Sequence, residues 1–180
     1  MIAPNQLNFA DMINKLLAPR ALFFLVFLCS AGLMAYAFYA QYVLKFDPCM
    51  LCMVQRVFMV ALGLTAGLAA LHNPKGRGWL VYGLICALWA TLGAYIAGRH
   101  VYLQGLPFDQ LEGCSPSFEY VLTNYDWLKV LKTFFIRDQD CGKIDWTFLG
   151  QSMPRWVLVW FVAMGLLTLW RGVTAKKALR

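Results

Sequence analysis

Acidic residues are scarce in this 180-residue chain, and they are unevenly distributed. Asp and Glu together number 9, against 16 Lys and Arg, and between Asp11 and Asp109 the only acid is Asp47. Charged residues make up 14% of the chain and apolar ones 61%, with a mean hydropathy of +0.58. These proportions are too apolar for an ordinary soluble domain and indicate a membrane protein.

Motifs of several enzyme classes are also missing. The sequence has no Gly-rich nucleotide-binding loop, and no motif supports a Ser-His-Asp or Cys-His hydrolase. A structural zinc site usually pairs two Cys-x-x-Cys knuckles. Here Cys49 and Cys52 form one such pair, with His100 as an additional candidate ligand, but Cys114 and Cys141 stand alone. We therefore do not expect a metal site.

Four apolar blocks, at about residues 21–44, 48–71, 79–98 and 154–170, determine the predicted fold. Each is near the roughly 20 residues that a helix needs to cross a bilayer. The sequence predicts an all-α membrane protein: a four-transmembrane-helix bundle forming one integral membrane domain over residues 1–180. Gly63 and Gly67 in the second block, and Ala90, Ala94 and Gly98 in the third, have the small-residue spacing that allows close helix approach.

Basic residues concentrate in alternate connections. The tail 1–20, the loop 72–78 and the tail 171–180 carry charges of +1, +2 and +4, which account for the whole net charge of +7. The positive-inside rule places these regions in the cytoplasm and the loop 99–153 on the other side, which in a bacterium is the oxidising periplasm. This charge does not indicate nucleic-acid binding. A cleaved signal peptide ending near Ala35-Tyr36-Ala37 would leave three spans and break the pattern.

The most informative stretch is Asp47-Pro48-Cys49-Met50-Leu51-Cys52-Met53-Val54-Gln55-Arg56. We expect Asp47 to cap a helix and Pro48 to occupy its first position. Cys49 then lies in the first turn, where the helix dipole stabilises a thiolate, and it shares a helix face with Cys52 and Arg56. A disulfide between these two cysteines closes only a short loop, so it suits redox turnover better than stapling.

Arg56 is predicted to lie about one to two turns inside the helix. An arginine at the bilayer centre costs roughly 2.5–3.5 kcal/mol on insertion scales, so the side chain must face protein, water or a polar ligand. We expect it to hold the Cys52 thiolate or a carbonyl oxygen of a bound cofactor. The alternative is that it extends to the lipid headgroups.

The loop 99–153 is too long for a simple connection. Its segment 118–135 is rich in aromatic and aliphatic residues and is expected to form in part a short amphipathic helix on the membrane surface. Cys114 and Cys141 form either a structural disulfide, which spacing alone favours, or a redox pair. With Cys49 and Cys52 they permit three pairings. His100 either donates to a cofactor or has no role.

The remaining cysteines, Cys29 and Cys86, each stand alone in an apolar block and are expected to be inert. Two cysteine pairs on the oxidising side, one of them beside a membrane-embedded cation, indicate an electron relay. Electrons would enter at the loop pair, pass by thiol–disulfide exchange to the helix pair, and leave to a lipid quinone.

Nearly the whole chain resembles the DsbB family of bacterial disulfide bond formation proteins. The resemblance rests on three features: Pro48-Cys49-Met50-Leu51-Cys52 followed by Arg56, then Cys114 and Cys141, and finally Trp146-x-Phe148-Leu149-Gly150 with Met153-Pro154-x-Trp156. It implies an inner-membrane thiol:quinone oxidoreductase. Such a protein reoxidises the periplasmic thioredoxin-like protein DsbA and passes its electrons to ubiquinone, or to menaquinone without oxygen.

The resemblance also implies a role for each candidate residue. Cys114 forms the mixed disulfide with the partner, and Cys141 then reaches the Cys49–Cys52 pair. Cys52 faces the quinone.

Two further positions are carried over in the same way. Arg56 holds the quinone or the thiolate charge, and His100 matches a family position near the quinone.

Two other functions remain open at this point. One is a DsbB paralogue dedicated to a single substrate, such as a sulfotransferase-type partner. The other is a non-enzymatic membrane scaffold with structural disulfides, which would tolerate Arg56→Ala and Cys52→Ser.

Overall fold

Four long apolar helices dominate the computed structural model, which describes residues 18–46, 48–107, 110–111, 123, 139–142, 144 and 146–177. Each of the four is long and apolar enough to cross a membrane, which confirms the predicted fold class. In chain order the elements are α1 (Pro19–Tyr42), α2 (Met50–His72), α3 (Arg77–Gln104), α4 (Gln139–Gly142), β1 (Thr147–Phe148), β2 (Gln151–Ser152) and α5 (Met153–Lys177). Apart from residue 123, the segment 118–135 of the predicted surface helix lies outside the described residues, and so does the tail 1–17.

The outer surface of the four long helices is apolar. Leu25, Leu68, Leu88 and Leu166 are 50–64% exposed, one on each long helix. Contiguous apolar surface on this scale is not stable in water, because a soluble monomer exposes only small patches of it. These side chains therefore face lipid.

Small residues form the contact faces between the helices. The buried positions of α3 include Gly83, Cys86, Ala90, Gly93 and Ala97, which alternate three and four residues apart as in a coiled coil. α3 packs most extensively on α5, and α1 packs on α2. The small residues let the backbones approach closely, and at Gly93 they leave room for the Phe161 ring of α5.

The predicted small-residue pattern is confirmed in α2 and is only partly right in α3. A Cβ added at Gly63 would lie 2.7 Å from the Ser30 Cβ of α1, and one at Gly67 would lie 3.0 Å from the Phe27 ring. Gly98, however, has no neighbour within 4 Å of such an atom. A strict four-residue spacing drifts around the helix, whereas the contact face follows the alternating three–four spacing.

The helices differ in length from the apolar blocks. α3 continues to Gln104, beyond the predicted end at residue 98, and α5 runs to Lys177, beyond residue 170. Arg99 and His100 lower the local hydropathy without breaking the helix, because the next residues that interrupt it are Gly105 and Pro107. His100 therefore belongs to α3 rather than to the loop that follows it.

A tight hairpin precedes α5. Leu149 and Gly150 both have positive φ (52° and 74°), as a two-residue type I′ turn requires, and β1 and β2 pair antiparallel on either side of them. The Trp156 indole donates to the Phe148 carbonyl oxygen at 3.0 Å. The Ser152 hydroxyl donates to Gln104 Oε1 at 2.6 Å. These two bonds fix the hairpin between the start of α5 and the end of α3.

The close approach of α3 and α5 generates a test of the packing. A Cβ at Gly83 would lie 2.9 Å from the Thr168 carbonyl oxygen and 3.2 Å from Gly172 Cα. We expect Gly83→Leu to lower the free energy of unfolding by about 1–3 kcal/mol, because backbone cannot move aside as a side chain can. The measurement is the midpoint of unfolding by SDS in mixed micelles.

Gly98→Leu is the matched control in the same helix, since no atom lies within 4 Å of the added Cβ. Equal midpoints for the two variants would contradict the described packing of α3 on α5.

Candidate functional site

The two cysteines of the Cys-x-x-Cys pair lie at the first turn of α2. Their sulfur atoms are 3.3 Å apart. Cys49 is the N-cap residue, with φ −67° and ψ 169°, and its carbonyl oxygen accepts the Met53 N–H at 3.2 Å. Cys52 follows within the first turn. The start of α2 therefore presents both sulfurs to the same region.

The predicted start of this helix was two residues too early. The helix begins at Met50, so Pro48 is not its first residue, and Cys49 rather than Asp47 is the cap. The fixed φ of proline fits an extended segment as well as a first helical turn, so Pro48 did not decide between them. Asp47 lies outside the described residues.

His100 reaches the cysteine pair from α3. Its Nε2 is 3.8 Å from Cys49 Sγ, and its Nδ1 is 3.9 Å from Cys52 Sγ. The imidazole is only 3% exposed. Two thiols and an imidazole thus form one compact cluster between two helices.

Gln55 holds this imidazole from the α2 side. Its Nε2 lies 3.2 Å from His100 Nδ1, and the amide is buried. An amide N–H that donates to Nδ1 leaves the ring proton of a neutral imidazole on Nε2, which faces Cys49. Gln55 therefore selects which ring nitrogen carries the proton. Sequence reasoning gave this residue no role.

Arg56 is held mainly by α1. Its guanidinium donates to Gln41 Oε1 and, at 3.3 Å, to the Ala37 carbonyl oxygen. It also lies 5.8 Å from the centre of the Phe38 ring, within reach of a cation–π interaction. The guanidinium faces protein groups instead of extending to the headgroups, as a charge at this depth requires.

Cys141, in α4, is brought to the same cluster. It is 1% exposed and packs with Leu51, Leu103 and Leu111, and Cys49 lies against this group. A hydrogen bond with the Cys49 thiol, together with burial, raises the pKa of the Cys141 thiol above its usual value. Cys114, its predicted partner, lies outside the described residues.

A cavity of about 480 Å³ adjoins the thiols. Its walls come from the second half of α1, the first half of α2, the end of α3 and the first half of α5. Most of the lining is apolar, and it includes four methionines (Met34, Met59, Met153 and Met164). Its polar side chains include Cys49, Cys52, Gln55, Arg56 and His100.

Aromatic rings close the cavity beside the hairpin. Tyr36 of α1 lies 6.3 Å from Trp146, which stacks on Phe148 at 6.0 Å between ring centres. Phe148 lies 6.1 Å from Trp156 of α5. Tyr36, Trp146 and Trp156 line the cavity. The run Trp146-x-Phe148-Leu149-Gly150 therefore forms a hairpin that bridges α1 and α5 through its rings.

The two remaining cysteines lie elsewhere. Cys86 is fully buried in the core cluster of the bundle, and Cys29 is a half-buried residue in α1. Neither lines the cavity. Gln41 also contributes to the site, and no sequence signal distinguished it from any other polar residue at the end of an apolar block.

The chain matches the family model described as "Disulfide bond formation protein DsbB" over residues 19–171. A relative named "Disulfide bond formation protein B" from Hahella chejuensis is 44% identical over 146 residues, which cover 81% of this chain and 88% of the relative. Relatives of the same name from Marinobacter nauticus and Stutzerimonas stutzeri are 43% and 39% identical, over 84% and 87% of this chain and 92% and 96% of their own. The protein therefore belongs to the DsbB family, as a multi-pass membrane oxidoreductase of disulfide bond formation.

Proposed function

We propose that the protein is a thiol:quinone oxidoreductase that reoxidises a thioredoxin-like disulfide donor of the DsbA type. The observation that supports this most is the position of the Cys49–Cys52 pair on the wall of the apolar cavity, with Arg56 and His100 beside it. Thiols that exchanged electrons only with a water-soluble protein would not need an apolar cavity beside them.

The cavity has the size and chemistry of a site for a lipid quinone. Ligand pockets usually measure about 300–1,000 Å³ and combine apolar walls with a few polar groups that fix orientation. A quinone head group is flat and apolar, with carbonyl oxygens that accept hydrogen bonds from Arg56 or His100. When bound, it supplies an acceptor for two electrons and two protons.

Cys52 and Arg56 are the residues we assign to the acceptor side. Arg56 has five N–H donors in a rigid fork, and its described contacts with Gln41 and Ala37 do not use all of them. It can stabilise negative charge on Cys52 and donate to a carbonyl oxygen. His100 moves or holds a proton at the Nε2 that faces Cys49.

Electrons enter the Cys49–Cys52 pair from Cys141, which reacts with Cys49. The Cys141 thiolate attacks Cys49 Sγ, the Cys49–Cys52 bond breaks, and Cys52 leaves with the electron pair as a thiolate. The negative charge then lies on Cys52 of the α2 pair, on the same cavity wall as Arg56. Cys114 is the expected site of the mixed disulfide with the partner.

The charge distribution supports the orientation of this relay. Lys75 lies between α2 and α3 and Arg77 is the first residue of α3, at the opposite end of the bundle from Cys49. The positive-inside rule then puts both termini in the cytoplasm of a bacterial inner membrane, and the redox cysteines on the periplasmic side. A DsbA-like donor has a potential of about −120 mV, so only an acceptor of higher potential, such as ubiquinone or menaquinone, can reoxidise it.

The first test removes the acceptor-side thiol. With a reduced thioredoxin-like partner and a soluble ubiquinone analogue, wild-type protein is expected to reduce the quinone, and Cys52→Ser to lose at least about 10³-fold in kcat, because no pair remains to pass electrons on. Quinone absorbance measures the rate. The control, Cys29→Ala, is expected to keep full turnover. A wild-type protein without activity would instead favour a disulfide-stapled scaffold.

The second test concerns the guanidinium. Arg56→Ala is expected to raise KM for the quinone analogue about tenfold, equivalent to about 1.4 kcal/mol, because a charge-assisted hydrogen bond is lost. Arg155→Ala is the matched control, since Arg155 is exposed at the same end of the bundle and bonds Gln151 at 2.9 Å. An unchanged KM in Arg56→Ala would exclude the guanidinium from ligand binding.

The third test couples Gln55 to His100. We expect Gln55→Leu and His100→Ala each to lower kcat by about tenfold, because Gln55 acts only through the imidazole. The double variant should then be no slower than His100→Ala alone, and the double-mutant cycle reports this coupling. If the two decreases in kcat multiplied, so that the double variant were about a hundredfold slower than wild type, Gln55 would have a role independent of His100.

A further inference from the structure

We propose that the reduced protein binds one soft divalent metal ion, of the Zn²⁺ class, through Cys49, Cys52 and His100. The sulfur atoms lie 3.3 Å apart, and Cys49 Sγ lies 3.8 Å from His100 Nε2. One ligand atom from each of the three residues lies within 4.8 Å of the other two. The site shares Cys52 and His100 with the proposed quinone contacts, but it needs neither Arg56 nor a bound quinone.

These separations are close to those of a zinc site. Zn–S bonds of about 2.3 Å and Zn–N bonds of about 2.0 Å place tetrahedral sulfur ligands about 3.8 Å apart, and sulfur and nitrogen ligands about 3.5 Å apart. The Cys49 and Cys52 sulfurs need to separate by roughly half an ångström, which side-chain rotation at the start of a helix provides. No backbone rearrangement is required.

Charge balance also favours a divalent ion here. Two thiolates and a neutral imidazole around M²⁺ form an uncharged complex, and an uncharged complex avoids the large penalty of isolated charge in an apolar region. The same two thiolates without a metal would repel each other. Binding releases the two thiol protons.

Gln55 completes the arrangement around the imidazole. It contacts Nδ1, and Nε2 can bind the metal once the ring proton moves to Nδ1. A metal-bound histidine usually donates its other N–H to an oxygen acceptor. The Gln55 amide can supply that oxygen by a half-turn of its terminal group, because an amide carries a donor and an acceptor.

The sequence offered His100 only as a candidate ligand, whereas the fold places its ring beside the Cys49–Cys52 pair. A structural site needs four protein ligands, which a single Cys-x-x-Cys pair cannot supply. Here α3 adds a third ligand, and the cavity beside the thiols leaves the fourth position to water. Three protein ligands with one open position describe an exchangeable site.

The site exists only in the reduced state. A Cys49–Cys52 disulfide has no thiolate to offer, so oxidation abolishes the site and a bound metal in turn blocks oxidation. A bound metal would therefore keep Cys49 and Cys52 in the reduced state when no electron acceptor is available. This inference depends on the thiols and the imidazole, and it does not rest on the proposed quinone chemistry.

Cobalt is the probe for the test. Purified, fully reduced protein in detergent is titrated anaerobically with Co²⁺, and thiolate-to-cobalt charge transfer and the visible bands of tetrahedral Co²⁺ are recorded. We expect one Co²⁺ per chain, displacement by Zn²⁺, and no bands from protein in which Cys49 and Cys52 are oxidised. Reduced wild-type protein without these bands would overturn the proposal.

Variants identify the ligands independently of enzyme activity. Cys52→Ser is expected to abolish the charge-transfer band, His100→Ala to weaken Co²⁺ binding more than tenfold, and Gln55→Leu to weaken it about tenfold. The Cys114→Ala/Cys141→Ala double variant and the control Cys86→Ala should bind like wild type. Bands that survive in Cys52→Ser, or that disappear in the double variant, would assign the metal to other ligands and reject this site.

Discussion

A guanidinium group inside an apolar bundle must be satisfied by other parts of the chain, and the site depends on how this is done. Arg56 belongs to α2, but Gln41 and the Ala37 carbonyl oxygen that accept its hydrogen bonds belong to α1. A hydrogen bond to a charged group typically contributes about 1.5–3 kcal/mol, so these contacts fix the end of α1 against the start of α2. One wall of the cavity is set by that contact.

The opposite wall depends on small residues. Glycine and alanine at the α3–α5 contact bring the two backbones together, and the buried face of α3 continues in the same spacing to His100. The imidazole is consequently carried into the bundle, within 4 Å of both sulfur atoms. A larger side chain at the contact would move α3 outward, together with the imidazole.

The sequence predicted the parts of this protein that rest on long, repeated signals. Four apolar blocks fixed the four helices, and the spacing of Cys49, Cys52 and Arg56 fixed a shared helix face. Local signals were less decisive. Pro48 fits both an extended segment and a helix. The low hydropathy of Arg99 and His100 made the predicted third helix end at residue 98, although α3 continues to Gln104. The role of Gln55 was missed because it depends on contact with the His100 imidazole, which is 45 positions away in the sequence.

The two sulfur atoms of the pair lie between two different environments. Cys49 packs against the apolar group that buries Cys141, whereas the cavity beside Cys52 contains Arg56. A disulfide across one helical turn can be attacked from the first side and can release charge toward the second. Both sulfurs line the cavity, and Cys49, the cap residue, also packs against the group around Cys141, so the start of α2 connects the two environments without any further element.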